Sequence, residues 1–392
     1  MAGLIHRRWP VFGAVVVTMA AVAIASVRSA AAQSSTVITM RDPRLVEVSG
    51  IAGGLRSPGV FYVQNDSGDS ARFFAVDAHT GRVRAVYRVP GATNVDWEDI
   101  AVAPDAAGVP SVWIGDIGDN NADRAEVRVY RVDEPRVAMD RYDVHAQTDR
   151  PDIWRLRYPD GAVNAESLAL SPTGRGYIFT KRDSGDSVCY ELPPDPDPAR
   201  VQVLHPVGTV RIRARTSSFI PADLQQLATG AAISPDGTLL TLRTYTDAYL
   251  WRLDHGDVPQ ALRTPPHRLS LPLQPQGEGI GFDGDSLVID SEGHSSQVLA
   301  VPLPPEFRPH GVTPSTTGGR TSGVASSTPG SNTSAGTRPH TSPASSSASP
   351  ASSDNHIDLG LGWRILIAVV SVALGCVLLV RMIIRHRSRP PT

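Results

Sequence analysis

The sequence predicts an all-β fold, a five-bladed β-propeller over residues 36–307, and three observations predict it. One pattern of short apolar strands separated by polar turns recurs five times. Composition agrees, because 34 Gly and 33 Pro against 6% aromatic residues favour many short strands and turns over long helices, and no heptad run or helical repeat appears. The third observation is a spare strand, Thr36-Val37-Ile38-Thr39-Met40, ahead of the first recurrence, while the fifth runs into Pro302 and Pro304 one strand short. Pairing the two closes the ring and removes its open edge. Equivalent first strands stand 49, 68, 63 and 49 residues apart, near the length of a four-stranded blade with loop insertions. A six-bladed ring, with a degenerate blade inside the longer spacings, is the alternative, and a pair of β-sandwiches is the structural runner-up.

Each blade is predicted to open with an innermost strand, at 49–52, 98–101, 166–169, 229–232 and 278–281. Turns such as Ser171-Pro172-Thr173-Gly174 and Ser234-Pro235-Asp236-Gly237 lead into second strands at 60–63, 112–114, 177–179, 239–242 and 287–289. Third strands follow at 73–76, 127–132, 188–191, 249–253 and 298–301, and fourth strands at 83–89, 153–158, 201–210 and 268–271. The oxygen-rich run Asp116-Ile117-Gly118-Asp119-Asn120 misses EF-hand spacing and reads as a hydrogen-bonded turn, as do Asp66-Ser67-Gly68-Asp69 and Asp183-Ser184-Gly185-Asp186.

The two ends set the expected topology. Residues 1–32 read as a signal peptide: basic His6, Arg7 and Arg8, an apolar stretch, then Ala30-Ala31-Ala32 as a cleavage site, with an uncleaved anchor as the other reading. Residues 308–357 are Ser/Thr/Pro/Gly-rich and too poor in apolar side chains to fold, which suits a wall-spanning stalk or a plain linker. Residues 361–384 are predicted to form a transmembrane helix, since the stretch from 365 onward is apolar except for Arg381 and about 20 helical residues span ~30 Å. Residues 385–392 are a basic tail placed in the cytoplasm. The reading is a monomeric, single-pass membrane protein with its N-terminal domain outside the cell. The two ends hold eight arginines and no acid, so the formal charge of −2 conceals an acidic middle. Such a segment repels phosphate backbones, which argues against nucleic acid and for cations. Only Cys189 and Cys376 are present, so the propeller has no internal disulfide.

In a propeller the first strand lines a central channel and the second runs antiparallel beside it, so the start of one meets the end of the other. The aligned first-strand column is Ser49, Glu98, Glu166, Thr229 and Glu278, and second-strand ends offer Asn65 with Asp66, Asp116, Lys181, Arg243, and Asp290 with Glu292. Glu98, Glu166 and Glu278 are the candidate metal ligands, and Asn65, Asp116 and Glu292 the candidate ligand-binding residues. Converging carboxylates raise each other's pKa or recruit a cation, and oxygen donors favour calcium or magnesium over zinc. Lys181, the chain's one lysine, and Arg243 are candidates to stabilise an anion during catalysis, or to plug the channel by pairing with Glu98 and Glu166. No Gly-x-Ser-x-Gly, His-Glu-x-x-His, Walker or Cys-x-x-Cys motif is present.

Trp97-Glu98-Asp99-Ile100-Ala101, Gly115-Asp116-Ile117-Gly118-Asp119-Asn120 and Gln276-Gly277-Glu278-Gly279-Ile280 resemble secreted actinobacterial β-propellers of the phytase-like or WD40-like type, over about residues 45–305. In phytase-like propellers channel carboxylates bind calcium, which holds a phosphoester; this chain has carboxylates in such places but no cluster of basic residues for phosphate. The leading expectation is a surface-tethered binding module for a small polar ligand, a cation, or a wall or protein partner. A calcium-dependent hydrolase of phosphoesters or lactones and a structural scaffold without turnover are the rivals.

Overall fold

The computed structural model describes residues 34–215 and 220–308. Strand β1 (Ser35–Thr39) precedes the first blade, which is built from β2 (Val48–Gly53), β3 (Val60–Asn65), β4 (Arg72–Asp77) and β5 (Val83–Arg88). The second blade holds β6 (Trp97–Pro104), β7 (Pro110–Asp116) and β8 (Val127–Asp133); the chain then returns to blade 1 as β9 (Val144–Gln147) before completing blade 2 with β10 (Asp152–Arg157). Blade 3 comprises β11 (Ala165–Leu170), β12 (Gly176–Thr180) and β13 (Asp186–Glu191). The short β14 (Gln202–Val203) joins blade 2, and β15 (His205–Arg211) finishes blade 3. Blade 4 contains β16 (Ala228–Ile233), β17 (Leu239–Thr244), β18 (Asp247–Arg252) and β19 (His267–Ser270), and blade 5 contains β20 (Ile280–Asp283), β21 (Ser286–Ile289) and β22 (Gln297–Pro302). Two short helices lie in connections, α1 (Ala222–Gln226) and α2 (Val258–Ala261).

The ring has five blades, which removes the six-bladed and sandwich alternatives. It closes as expected: β1 pairs antiparallel with β22, so blade 5 takes its outer strand from the start of the domain. Blades 1 and 2 are five-stranded, against the four expected, because β9 and β14 add parallel to β5 and β10. The predicted strand at 201–210 is therefore two strands serving different blades. These additions are only 4 and 2 residues long, too short for alternation to mark them.

Inner strands are buried on both faces, as in Val60–Asn65, because each blade packs against two neighbours. The core accordingly divides among the blade boundaries. Tyr62, Phe73, Trp97 and Tyr130 fill the gap between blades 1 and 2, and Trp113, Trp154, Ile178 and Tyr190 that between blades 2 and 3. Ile38 and Met40, on and beside β1, pack with Val63, Phe74 and Val288 across the closure. The recurrent turns explain the hairpins: Ser171 Oγ accepts from Arg175 N at 3.0 Å, Ser234 Oγ accepts from Leu239 N at 2.9 Å, and Gly174 and Gly237 supply the positive φ that each turn requires.

Among the described residues no helix is long and apolar enough to cross a membrane. The predicted signal peptide, the stalk beyond residue 308, the span at 361–384 and the basic tail lie outside those residues.

Candidate functional site

Four of the five innermost strands carry the same irregularity. Pairing skips one residue between Val48 and Gly50, between Trp97 and Asp99, between Ala165 and Ser167, and between Ala228 and Gly230. The extra residues are Ser49, Glu98, Glu166 and Thr229, the column aligned in the sequence, and Glu278 stands in the corresponding place just ahead of β20. A bulge breaks the alternation of a strand and re-aims one side chain. Here it turns the column toward its neighbours around the ring: Ser49 Oγ donates to Glu98 Oε2 at 3.3 Å, and Thr229 Oγ1 donates to Glu278 O at 3.1 Å.

The second strands supply another ring, in register with the first. Asn65, Asp116, Thr180 and Thr244 pair opposite the residue before each bulge, so the next residues along are Asp66, Ile117, Lys181 and Tyr245, with Glu292 equivalent in blade 5. The two rings form one acid-rich mouth. Asp66, Asp96 and Glu98 each bring a carboxylate oxygen to within 4.8 Å of the others. Lys181 Nζ donates to Glu166 Oε2, in contact, and to Tyr245 Oη at 3.0 Å, while Asn164 Nδ2 donates to Glu166 Oε1 at 3.2 Å. Glu98, Glu166 and Glu278 are only 3%, 4% and 3% exposed.

Such crowding shifts the titration of the whole group. Burial, then the Glu166 charge, pushes Glu98 well above the usual carboxylate range. Burial and the neighbouring Asp66 raise Asp96 to about 8 and Glu292 to about 8. Glu166 and Glu278 are also raised by burial, with Lys181 opposing. Burial alone would lower Lys181, but Glu166, Tyr245 and Glu278 outweigh it and hold its ammonium charged.

Of the eight residues singled out in the sequence, Glu98, Glu166, Glu278, Lys181 and Glu292 gather at this mouth. The other three are engaged elsewhere, for reasons of register. Asn65 and Asp116 sit one residue before the second ring, and a one-residue step along a strand points to the opposite face. Asn65 Nδ2 donates to Arg44 O at 2.7 Å and Asp69 Oδ2 at 2.9 Å; Asp116 Oδ1 accepts from Asp96 N at 3.1 Å and Arg124 Nη2 at 2.9 Å. Arg243 pairs with Gly230, one layer deeper, where it is fully buried and its Nη1 donates to Gly279 O and, at 2.9 Å, Asp290 O. Its expected pairing with Glu98 and Glu166 is replaced by this clamp on blade 5.

Reasoning on the sequence missed Asp96 and Tyr245. Asp96 stands in a loop two residues before the Glu98 bulge, and Tyr245 occupies the blade 4 position that the sequence alone assigns to Arg243. Counting two residues back from each column member, and one past each second strand, would have found both.

The donor set fits a hard divalent cation. All three close donors are carboxylate oxygens, a set that suits calcium or magnesium. Any Cβ at Gly118 would collide with the carboxylates of Glu98 and Asp96, so this glycine lets the loop backbone lie against the pair. Such a cation could hold an anionic or polar ligand by charge.

No protein-family model matches the chain, and the search of curated proteins returns no match. Similar solved structures include a PQQ-bound aldose sugar dehydrogenase from Streptomyces coelicolor, with 15% identity over 69% of this chain and 98% of that one and a TM-score of 0.38. A glucose dehydrogenase has 13% identity over 69% of this chain and all of its own, with a TM-score of 0.39. The Malassezia sympodialis allergen Mala s 1 has 10% identity over 68% and 95% of the two chains, with a TM-score of 0.42. Likeness at this level concerns fold alone.

Proposed function

We propose that the chain is an exported, membrane-anchored β-propeller that binds one divalent cation, calcium by the chemistry of its donors, at the acidic channel mouth and uses it to hold a polar ligand. The observation that carries this reading is the convergence of Asp66, Asp96 and Glu98 oxygens within 4.8 Å, at a place that the bulge in β6 creates. Carboxylates with raised pKa values are poorly compensated in the protein alone, and a cation supplies the missing charge.

Binding is favoured over turnover by the two basic residues that the sequence singles out for catalysis. Arg243 is committed to backbone carbonyls, and Lys181 to Glu166 and Tyr245, so neither is free to meet a developing anion. The anchor rests on the apolar stretch at 361–384, and with it the ligand belongs outside the cell, in the wall or on a surface protein.

Thermal unfolding of the full-length chain in detergent, with Ca²⁺ and with chelator, tests the site. Binding at 100 times Kd stabilises by about 2.7 kcal/mol, so a clear rise in Tm is expected. The rise disappears in the Asp96→Asn, Glu98→Gln double variant. An intact fold whose Tm ignores Ca²⁺ overturns the reading.

A further inference from the structure

The outer part of blade 1 carries a polar cleft apart from the acidic mouth. It consists of two adjoining hollows of about 500 and 540 Å³, which share Ser70, Arg88 and Gln147 as lining. Register builds their common wall. Arg72 of β4 pairs with Arg88 of β5, and Arg88 pairs with Gln147 of β9, so the three side chains stand abreast on one face of the sheet. The row is complete only because β9 returns to blade 1 as its fifth strand. The far side is held firm: Asn94 Nδ2 donates to Asp66 O at 2.8 Å, and Thr93 Oγ1 lies 3.2 Å from Tyr130 Oη.

Like charges side by side on a sheet repel, and the two arginines of this row are treated differently. Arg72 is neutralised. Its Nε donates to Asp69 Oδ2 at 3.0 Å, its Nη2 meets Asp69 Oδ1 at 2.9 Å, and its guanidinium lies over the Phe74 ring. That commits Asp69, the one acid lining either hollow. Arg88 is exposed, and its side chain has no hydrogen bond or ion pair among the described residues. Arg150 is likewise exposed and unpaired. Its Nη1 lies 3.6 Å from where a Cβ on Gly91, part of the cleft lining, would stand, so a second guanidinium reaches the same cleft. Three arginines distant in sequence thus meet one acid, and two of them keep their donors free.

We propose that this cleft is an anion site, independent of any cation at the channel mouth, for a small polar acid of the sugar-acid or sugar-phosphate kind. Arg88 and Arg150 receive the acidic group, since a guanidinium fork matches carboxylate and phosphate alike. Gln147 and Ser70 supply amide and hydroxyl partners for the hydroxyl groups beside it.

The test is calorimetric titration of the full-length chain in neutral detergent and calcium-free buffer with glucuronate, glucose 6-phosphate and glucose. At millimolar concentration at least one of the two anions binds and glucose does not; which anion binds tells carboxylate from phosphate. Arg88→Gln and Arg150→Gln should each weaken binding about tenfold, the loss of one charged hydrogen bond. Arg200→Gln, which removes an arginine 85% exposed and outside the cleft, should leave binding unchanged. Binding of neither anion, equal binding of glucose, or undiminished affinity in Arg88→Gln overturns the proposal. A loss in Arg200→Gln equal to that in Arg88→Gln also overturns it, as general charge attraction.

Discussion

Asp99 of blade 2 accepts a hydrogen bond from the backbone N of Leu168 in blade 3, at 2.8 Å. The same Oδ2 accepts from Ala231 N in blade 4 at 3.2 Å, and Oδ1 accepts from Ile100 N at 2.9 Å. One fully buried carboxylate therefore ties together the innermost strands of three blades, directly beneath the acidic mouth. Replacing Asp99 with Ala orphans three buried donors at about 1–3 kcal/mol each, so the variant should lose at least ~3 kcal/mol in urea unfolding. Asp99→Asn retains one acceptor oxygen and should lose less.

Glycine closes the rest of the channel. A Cβ on Gly279 would stand 2.7 Å from Gly50 Cα and 2.8 Å from Asp290 Oδ1, and one on Gly50 would stand 2.7 Å from Ile100 N. Gly279→Ala should cost at the upper end of the ~1–3 kcal/mol range for overpacking, or prevent folding. Gly68, with φ +85° and open space around it, is the comparison: alanine there should cost only ~1 kcal/mol, from backbone strain. Equal melting temperatures for the two variants would contradict the close packing at the centre.

Acid should stabilise the metal-free domain. Asp96 and Glu292 are raised to about 8 in the fold, whereas the unfolded chain titrates near 4. Between those values the folded state holds more protons than the unfolded one. The stability these groups contribute is thus present below about pH 4 and lost as pH rises toward 8. With chelator, Tm should fall between pH 5.5 and 8.5. Calcium competes with those protons, so its affinity should rise over the same interval and binding should release protons, visible as a buffer-dependent heat. A chelated Tm that climbs with pH would refute the carboxyl crowding.

Deleting residues 34–40 removes β1 and the buried Ile38 and Met40, leaving β22 as an apolar edge. The truncated chain should lose cooperative unfolding and aggregate, as followed by calorimetry and light scattering. An unchanged transition would show that the ring closes without it.

Most of the propeller was legible in the sequence because consecutive hairpins leave a local trace, alternating apolar runs between Gly- and Pro-bearing turns. The bulge column was legible too: Glu98, Glu166 and Glu278 align because the same irregularity recurs. Register was not. Arg243 reads as a second-strand end, yet the strand continues to Thr244, and only pairing shows that Tyr245 holds the equivalent position. Asp99 does carry a signal in the sequence, as an acid in a column otherwise filled by Gly50, Ser167, Gly230 and Gly279. The parallel strands β9 and β14 leave almost no local pattern, since their pairing is decided by distant edges.

Because β1 pairs with β22, the earliest-made strand of the propeller waits for the propeller's latest. Blades 1 and 2 are likewise unfinished until segments made after their successors have begun come back to them. Hairpins can form as the chain emerges, but the joints that lock the ring are long-range and are reached slowly. While it is being made, the nascent domain is therefore a string of half-zipped blades whose completion is a single late event, and chaperone demand should peak just before the final strand arrives.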